Sequence, residues 1–318
     1  MNWSHRKDRR KSFEDMVLVD ISFIKSGGGA AYVELISEMF KGYEIQFISN
    51  NKICKKQAII WKKLIQRDLL IKDLDPEIII NLSNVPYFFS FKNVWFFLHQ
   101  RYYVDKGGLK YLRGIQGFKM RLKRFYFRIL SRKSYRYIVQ TEVMRQLLQE
   151  ALWYESSLSC LIDLSEHNRL KTRQAVLHHD TFPHKKVNWQ SPIFDWLDSN
   201  GIDLVVVGAP PPVYIKCRHI QKLAYRDMTL LLARSEICIS FSKFDSLGLP
   251  YVESCIYGLA LFSIKTDVAE EICEKFYDIN NIDYDTLQYS NINPTKFRES
   301  FKERNRPFTR SKFTDTSS

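Results

Sequence analysis

The chain has 318 residues, of which 45% are hydrophobic and 26% are charged. This composition is typical of a folded globular protein and excludes an intrinsically disordered chain; no segment has the run of about 18 apolar residues that predicts a transmembrane helix. Residues 1–170 contain 29 basic and 17 acidic residues, whereas residues 171–318 contain 19 and 18, so the first half holds almost all of the net charge of +13. This imbalance predicts an acidic partner for the first half.

Residues 1–15 are basic and polar, without the apolar core of a secretory signal. We expect them to be a disordered extension or the product of a misassigned start codon. The six cysteines show no Cys-x-x-Cys pair and no regular spacing. This pattern favours free thiols and a cytoplasmic protein.

Short apolar runs alternate with helical patterns along most of the chain, which predicts parallel, doubly wound sheets. Strands are predicted at 16–23, 44–49, 77–82, 94–98 and 137–140, and then at 174–177, 203–207, 237–240 and 259–264. Helices are predicted at 29–40, 54–70, 109–133 and from 141, and then at 189–199, 228–233, 248–257 and 267–273. A weaker stretch at 156–171 separates the two series.

The predicted fold class is therefore α/β, with two Rossmann-like domains facing a cleft. We place the first domain at 16–165 and the second at 166–290. The chain turns polar from about residue 278, and residues 291–318 are predicted to be a tail.

The strongest local pattern is a turn between a predicted strand and a predicted helix, with the sequence Phe-Asp-Ser-Leu-Gly-Leu-Pro-Tyr-Val-Glu at 244–253. The glycine, Gly248, lets the backbone approach a ligand, and amides at a helix start can bind an anion such as a diphosphate. Asp245 and Glu253 lie eight residues apart around this turn, so both can face the same ligand. A plain strand–turn–helix unit with solvated acids is the alternative.

These residues resemble the donor site of family-4 retaining glycosyltransferases of the GT-B fold, a motif of the form Ser-x-x-Glu-x-Phe-Gly-Leu-Pro-x-x-Glu-Ala-x-x-x-Gly. The residues that match in place are Ser242, Gly248, Leu249, Pro250, Glu253 and Gly258. Asp245 stands where the family has its first Glu and is one methylene shorter, which implies an altered donor or a weakened enzyme. The resemblance implies that Glu253 accepts hydrogen bonds from the donor ribose. It also implies that Asp245 and the amides of Ser246, Leu247 and Gly248 hold the sugar and its phosphate.

Three further groups of residues are site candidates through the same resemblance. Gly28 and Gly29 follow the first strand and would approach the donor phosphate and the acceptor. Lys185 and Lys186 would neutralise the leaving diphosphate, although the family's usual Gly-Arg is missing before them. His99 ends a strand and would face the donor sugar. Each group has a structural alternative. The glycines could form a flexible loop, the lysines could be solvated in a loop, and the histidine could be hydrogen-bonded within the protein at the strand end.

The segment 106–136 holds eleven basic residues and no acidic one, mixed with aromatic and aliphatic side chains. This composition is typical of a helix that lies in a lipid interface. We predict that Lys119, Arg121, Lys123 and Arg124 bind an anionic membrane or the acceptor that it carries. The protein would then be cytoplasmic and peripheral on the inner face of the cell membrane.

The resemblance implies an enzyme, a hexosyltransferase that uses a nucleotide-diphosphate sugar and retains anomeric configuration. Its acceptor would be lipid-linked or an oligosaccharide, in lipopolysaccharide or capsule biosynthesis. We expect no cofactor, because the histidines at 178, 179 and 184 have no Cys or Glu at metal-ligand spacing. Two alternatives stay open: a weak or inactive relative that acts as a partner subunit, and a basic nucleic-acid-binding protein, although no nucleic acid is expected.

Overall fold

The computed structural model describes residues 16–22, 36, 40, 43–49, 60–154, 156–158, 165–167 and 170–305. Two separate sheets organise these residues, and every strand in each sheet is parallel to its neighbours. The predicted α/β class with two parallel-sheet halves is confirmed. In this part of the chain no helix is both long and apolar enough to cross a membrane.

The first sheet has six strands in the order β2-β1-β3-β4-β5-β6. Its strands are β1 (Met16–Asp20), β2 (Glu44–Ile48), β3 (Ile78–Asn81), β4 (Val94–Phe97), β5 (Arg136–Val139) and β6 (Ser156–Leu158). Its helices are α1 (Ile60–Leu74), α2 (Gly114–Leu130) and α3 (Glu142–Leu152). The central strands β1, β3 and β4 are buried along their whole length, as expected for a sheet covered on both faces.

The second sheet has the order β12-β11-β10-β7-β8-β9. Its strands are β7 (Thr172–His179), β8 (Asp203–Gly208), β9 (Arg218–Ile220), β10 (Ser235–Ser240), β11 (Ala260–Ser263) and β12 (Tyr277–Asp278). Its helices are α4 (Ile193–Ser199), α5 (Tyr225–Arg234), α6 (Leu249–Tyr257), α7 (Asp267–Ile272) and α8 (Glu299–Arg304).

Three short strands have no counterpart in the sequence prediction. β6 lies in the stretch predicted to be a linker, and β9 and β12 lie at the two edges of the second sheet. Each has only two or three residues. Such runs are too short to show a hydrophobic period, and they become strands only by pairing with a neighbour that is already in place.

The predicted tail also needs a correction. Phe297 and Phe301 are completely or almost completely buried, and they pack in the same apolar cluster as Tyr251 and Val252 of α6. Residues 291–305 are therefore a packed part of the second half. Backbone hydrogen bonds from Thr295 to Leu259 and from Arg298 to Ile272 also hold this segment. Residues 306–318, like residues 1–15, lie outside the described residues.

Candidate functional site

The turn between β10 and α6 depends on Gly248, which is the N-cap of α6. Its φ of +67° lies in the left-handed region that disfavours side chains. A Cβ built on Gly248 would lie 2.4 Å from the ring of Tyr251, a side chain that is itself fully buried. The turn is therefore restricted to glycine both by its dihedral angles and by its packing, and Pro250 in the first turn fixes the start of the helix.

Three consecutive amides of this turn have no acceptor within the described ranges of the chain. The backbone N–H groups of Ser246, Leu247 and Gly248 donate no hydrogen bond to any residue in the described part of the chain. They precede the first turn of α6, where the helix dipole adds partial positive charge. An anionic group such as a phosphate would satisfy these amides.

Glu253 lies inside α6 with only 6% of its surface exposed. Its carboxylate receives no hydrogen bond from the described residues, and burial alone raises its pKa to about 8. A buried carboxylate without donors is unfavourable for folding. Such a group indicates a binding site when it lies beside a cleft, because a ligand can supply the donors that the protein does not.

Asp245 precedes the turn and contacts the first half of the molecule. Its backbone carbonyl accepts a hydrogen bond from the Arg101 guanidinium at 3.3 Å. Its carboxylate oxygen Oδ2 is buried and has no hydrogen-bond partner among the described residues. The turn therefore carries two carboxylates with unused acceptor capacity, Asp245 before Gly248 and Glu253 after it.

The structure brings His99 next to this turn. The Ser246 hydroxyl donates to the His99 carbonyl at 2.6 Å, and the Ser246 carbonyl accepts from the Thr141 hydroxyl at 2.9 Å. Burial lowers the pKa of His99 to about 4, against a smaller opposing effect of its hydrogen bond to Gln140. The imidazole is therefore neutral near pH 7 and can take part in hydrogen bonding but not in charge neutralisation.

Lys185 is the last residue of a short 3-10 helix at Pro183–Lys185, and Lys186 is its C-cap. Neither forms an ion pair within the described residues, and Lys186 is exposed. Their neighbour His184 is buried, and its Nδ1 lies 2.7 Å from the Tyr102 hydroxyl of the first half. Burial lowers the pKa of His184, with the nearby charge of Asp245 acting in the opposite direction. Lys185 therefore directly follows His184, a residue close enough to Asp245 for the charge of that carboxylate to raise its pKa.

Sequence reasoning missed the residues that join the two halves. Arg101 donates to both carboxylate oxygens of Asp267, at 2.8 and 2.6 Å, and its guanidinium lies 4.6 Å from the centre of the Phe244 ring. Glu271 accepts hydrogen bonds from the first two amides of α3, those of Glu142 and Val143. These partners are more than 120 residues apart in the chain, so no local pattern indicates them.

Within the predicted membrane segment 106–136, only Gly114–Leu130 forms an α-helix, α2, and this helix has two different faces. The inner face of α2 packs through Gly117 and Phe127. The outer face shows apolar side chains at three- and four-residue spacing, which places them on one stripe. Their exposed fractions range from 50% to 74%, and they are Ile115, Phe118, Leu122, Phe125 and Ile129.

Basic side chains border this apolar stripe. Lys119, Arg121 and Lys123 are exposed, and the helical angle of about 100° per residue places Arg121 on one side of the stripe and the two lysines on the other. The prediction that Arg124 binds the membrane is wrong. Arg124 is buried, and its guanidinium donates to the Val104 carbonyl at 2.8 Å. Arg124 faces the protein because its helical position falls on the inner face.

Two site predictions remain without a structural description. Gly28 and Gly29 lie outside the described residues. Among the residues that are described, no three His, Cys, Asp or Glu side chains group closely enough to hold a metal ion. The absence of a metal requirement stays a prediction.

No family model matches the chain, and no curated protein matches it by sequence. Solved structures do match. WaaG, a glycosyltransferase involved in lipopolysaccharide biosynthesis, aligns with a TM-score of 0.59 at 12% identity over 78% of this chain and 80% of its own. Sucrose-phosphate synthase from Thermosynechococcus elongatus aligns with a TM-score of 0.53 at 11% identity, over 79% and 82% of the two chains. Anabaena HepE, solved in complex with UDP and glucose, aligns with a TM-score of 0.52 at 9% identity, over 82% and 83%.

These similarities concern the fold, because the identities are too low to carry over an activity. The chain has the two-sheet GT-B architecture that the resemblance implied.

Proposed function

We propose that this protein is a glycosyltransferase that moves a hexose from a nucleotide-diphosphate sugar to an acceptor, with retention of configuration, as in family 4. The observation that carries the proposal is the Gly248 turn, where three amides that have no acceptor among the described residues lie between two carboxylates with unused capacity. The GT-B fold supports it, as does HepE, a neighbour in complex with UDP and glucose.

Each group at the turn has a chemical role in this proposal. Glu253 accepts hydrogen bonds from the two ribose hydroxyls, and the amides of Ser246 to Gly248 hold the phosphate. Asp245 contacts the transferred sugar, beside the neutral His99. Lys185 and the start of α6 stabilise the negative charge that grows on the leaving diphosphate. With retention, the acceptor hydroxyl attacks from the side of the leaving group as the bond to the diphosphate breaks. The departing phosphate oxygen takes the hydroxyl proton, so no separate base is required.

We further propose that the acceptor is presented at a membrane during the synthesis of a cell-surface polysaccharide. The exposed apolar stripe on α2, with Lys119, Arg121 and Lys123 along its borders, has the properties of a helix that lies in an anionic lipid interface. The described residues leave the side chains of this stripe exposed, and contiguous exposed apolar surface marks an interaction site. WaaG, a neighbour by fold, is involved in lipopolysaccharide biosynthesis.

Nucleotide titration tests the donor site. A panel of nucleoside diphosphates is first screened for thermal stabilisation, and the best one is used for calorimetry. Above its pKa of about 8 Glu253 is ionised, so the titration is run above pH 8. There Glu253→Gln is expected to weaken nucleotide binding by about tenfold or more, because charge-assisted hydrogen bonds to hydroxyls contribute roughly 1.5–3 kcal/mol each. Glu274→Gln, an exposed glutamate on the same half, is the matched control and should bind as the wild type does.

A transfer assay separates the role of Asp245. Asp245→Asn should leave the affinity for the nucleoside diphosphate unchanged and lower transfer from the nucleotide sugar. Equal nucleotide affinity in the wild type and Glu253→Gln would contradict the donor site. Nucleotide binding without any transfer would favour the alternative of an inactive partner subunit, for which the shortened side chain at Asp245 and the missing Gly-Arg are the specific observations.

A further inference from the structure

A cavity of about 220 Å³ lies between the two halves, beside Phe244, and neither Asp245 nor Glu253 lines it. Both halves contribute to its wall. Its charged lining residues are Arg101, Asp105 and Lys110 from the first half and Lys243, Lys265 and Asp267 from the second. None of the roles assigned above uses the space inside it.

The charges of the lining do not cancel. Arg101 is bound to Asp105 at 2.9 Å and to Asp267 at 2.6 Å, and Lys265 pairs with Glu270 at 2.9 Å. Lys110 and Lys243 form no ion pair with any of the described residues, and both are exposed. Two lysines from opposite halves therefore leave uncompensated positive charge at one cavity, which favours an anion there.

The wall of the cavity is tightly packed where the halves meet. A Cβ at Gly108 would lie 2.2 Å from the Phe244 ring, so the first half approaches this ring as closely as a glycine permits. The Tyr102 and Tyr111 rings lie 4.7 and 6.0 Å from it between centroids. The cavity is thus a product of the joined halves, and a ligand inside it contacts both.

The position of the cavity relates it to the transferred sugar. Lys243 and Phe244 directly precede Asp245, and Arg101 connects the cavity wall to the Asp245 carbonyl. Its volume is below the roughly 300–1,000 Å³ of sites for larger ligands. It suits one charged sugar-sized group better than a whole nucleotide sugar.

We propose that this cavity binds an anionic group, a phosphate or a carboxylate, on the acceptor saccharide. That the ligand is the acceptor of a transfer reaction rests on the proposed function. The anion site itself rests on Lys110 and Lys243. Lysine ammonium groups act as point charges toward either anion. An acceptor held there would lie beside Arg101, whose guanidinium donates to the backbone carbonyl of Asp245.

Calorimetric or NMR titration with glucose 6-phosphate, glucuronate and glucose tests the site. We expect the wild type to bind at least one of the two anionic sugars and not glucose. The double variant Lys110→Gln/Lys243→Gln should bind it at least tenfold more weakly. Lys92→Gln/Lys222→Gln, which removes one exposed lysine from each half away from the cavity, should stay within twofold of the wild type. A preference for glucose 6-phosphate assigns the group as phosphate, and a preference for glucuronate assigns it as carboxylate.

Two outcomes would overturn the proposal: equal binding of neutral glucose, or unchanged affinity in the double variant of the cavity. The nucleoside diphosphate is titrated in parallel. Unchanged nucleotide affinity in the double variant supports a site separate from the donor site, whereas a parallel loss would assign the lysines to the donor and overturn it. If no nucleotide binds to the wild type, the proposed function fails while the sugar titration still decides the anion site.

Discussion

Two buried carboxylates, Asp20 in the first half and Glu253 in the second, are treated in opposite ways by the fold. Asp20 ends β1 and has no exposed surface. Its hydrogen-bond donors are the amide and hydroxyl of Ser22, the hydroxyls of Ser83 and Tyr87, and the guanidinium of Arg67. Glu253 is nearly as buried and receives no hydrogen bond from the described residues.

This difference separates structure from function. A carboxylate surrounded by protein donors is stabilised in the free protein and has no capacity left for a ligand. A carboxylate that is buried without donors destabilises the free protein, and a ligand with hydroxyl groups can reverse that cost. We therefore assign Asp20 to the scaffold and Glu253 to the site, and the comparison can be tested from both sides.

The largest effect is expected from Arg67→Met. Arg67 is completely buried, with Asp20 at 3.4 Å and Asp68 at 2.8 Å. Removing it leaves two buried carboxylates without their cation, which should lower the free energy of unfolding by roughly 3–5 kcal/mol. Urea denaturation measures this change. Arg145→Met, which removes a partly exposed pair with Glu142, should cost less than about 1 kcal/mol, and similar losses in both variants would break the comparison.

Glu253→Gln should act in the opposite direction and stabilise the free protein. The folded-state pKa of about 8 lies above the unfolded value near 4.5, so wild-type stability falls as pH rises between these values and levels off above the upper one. The glutamine cannot ionise, so the variant does not lose this stability. Its free energy of unfolding should exceed that of the wild type by about 3 kcal/mol at pH 7. Unfolding measured at pH 5.5 and pH 8 should show a larger difference between the two proteins at pH 8. A constant difference would contradict the assignment.

The backbone of the Gly248 turn is expected to give the next largest effect. Gly248→Ala should destabilise the protein by more than the roughly 1–2 kcal/mol of left-handed strain, because the new Cβ also meets the Tyr251 ring. Gly201→Ala is a matched control, since its φ of +63° is similar and nothing lies within 4 Å. The difference between the two losses of thermal stability isolates the packing of the turn. Equal losses would show that the turn can relax.

The smallest effect concerns two basic residues of α2. Arg124 is buried and hydrogen-bonded within the protein, whereas Lys119 is exposed. Lys119→Gln should weaken binding to anionic phosphatidylserine vesicles, measured by co-sedimentation, by about fivefold, or roughly 1 kcal/mol. Its stability should not change. Arg124→Gln should lower stability, because its guanidinium donates to the Val104 carbonyl, and should leave vesicle binding unchanged. Reversed results would place the membrane surface on another face.

The sequence by itself determined the elements with a clear period and the turn with a clear spacing. Long apolar runs indicated the central strands. The helix predicted from residue 141 was confirmed, since Thr141 is its N-cap and the Thr141 hydroxyl accepts a hydrogen bond from the Met144 amide at 3.3 Å. Asp245, Gly248 and Glu253 could be named because one strand–turn–helix unit holds all three. Local hydrophobic period and local turn chemistry act over about a dozen residues, which is the range that a pattern can report.

Only the tertiary structure decided which charges are satisfied. The pairing of Arg101 with Asp267 joins residues 166 positions apart, and the burial of Arg124 depends on the carbonyl of Val104 twenty positions away. Edge strands and the packed segment at 291–305 form only against surfaces that other elements supply. Whether an acid finds donors is a property of its neighbours in space, so the contrast between Asp20 and Glu253 arises only when the chain is folded.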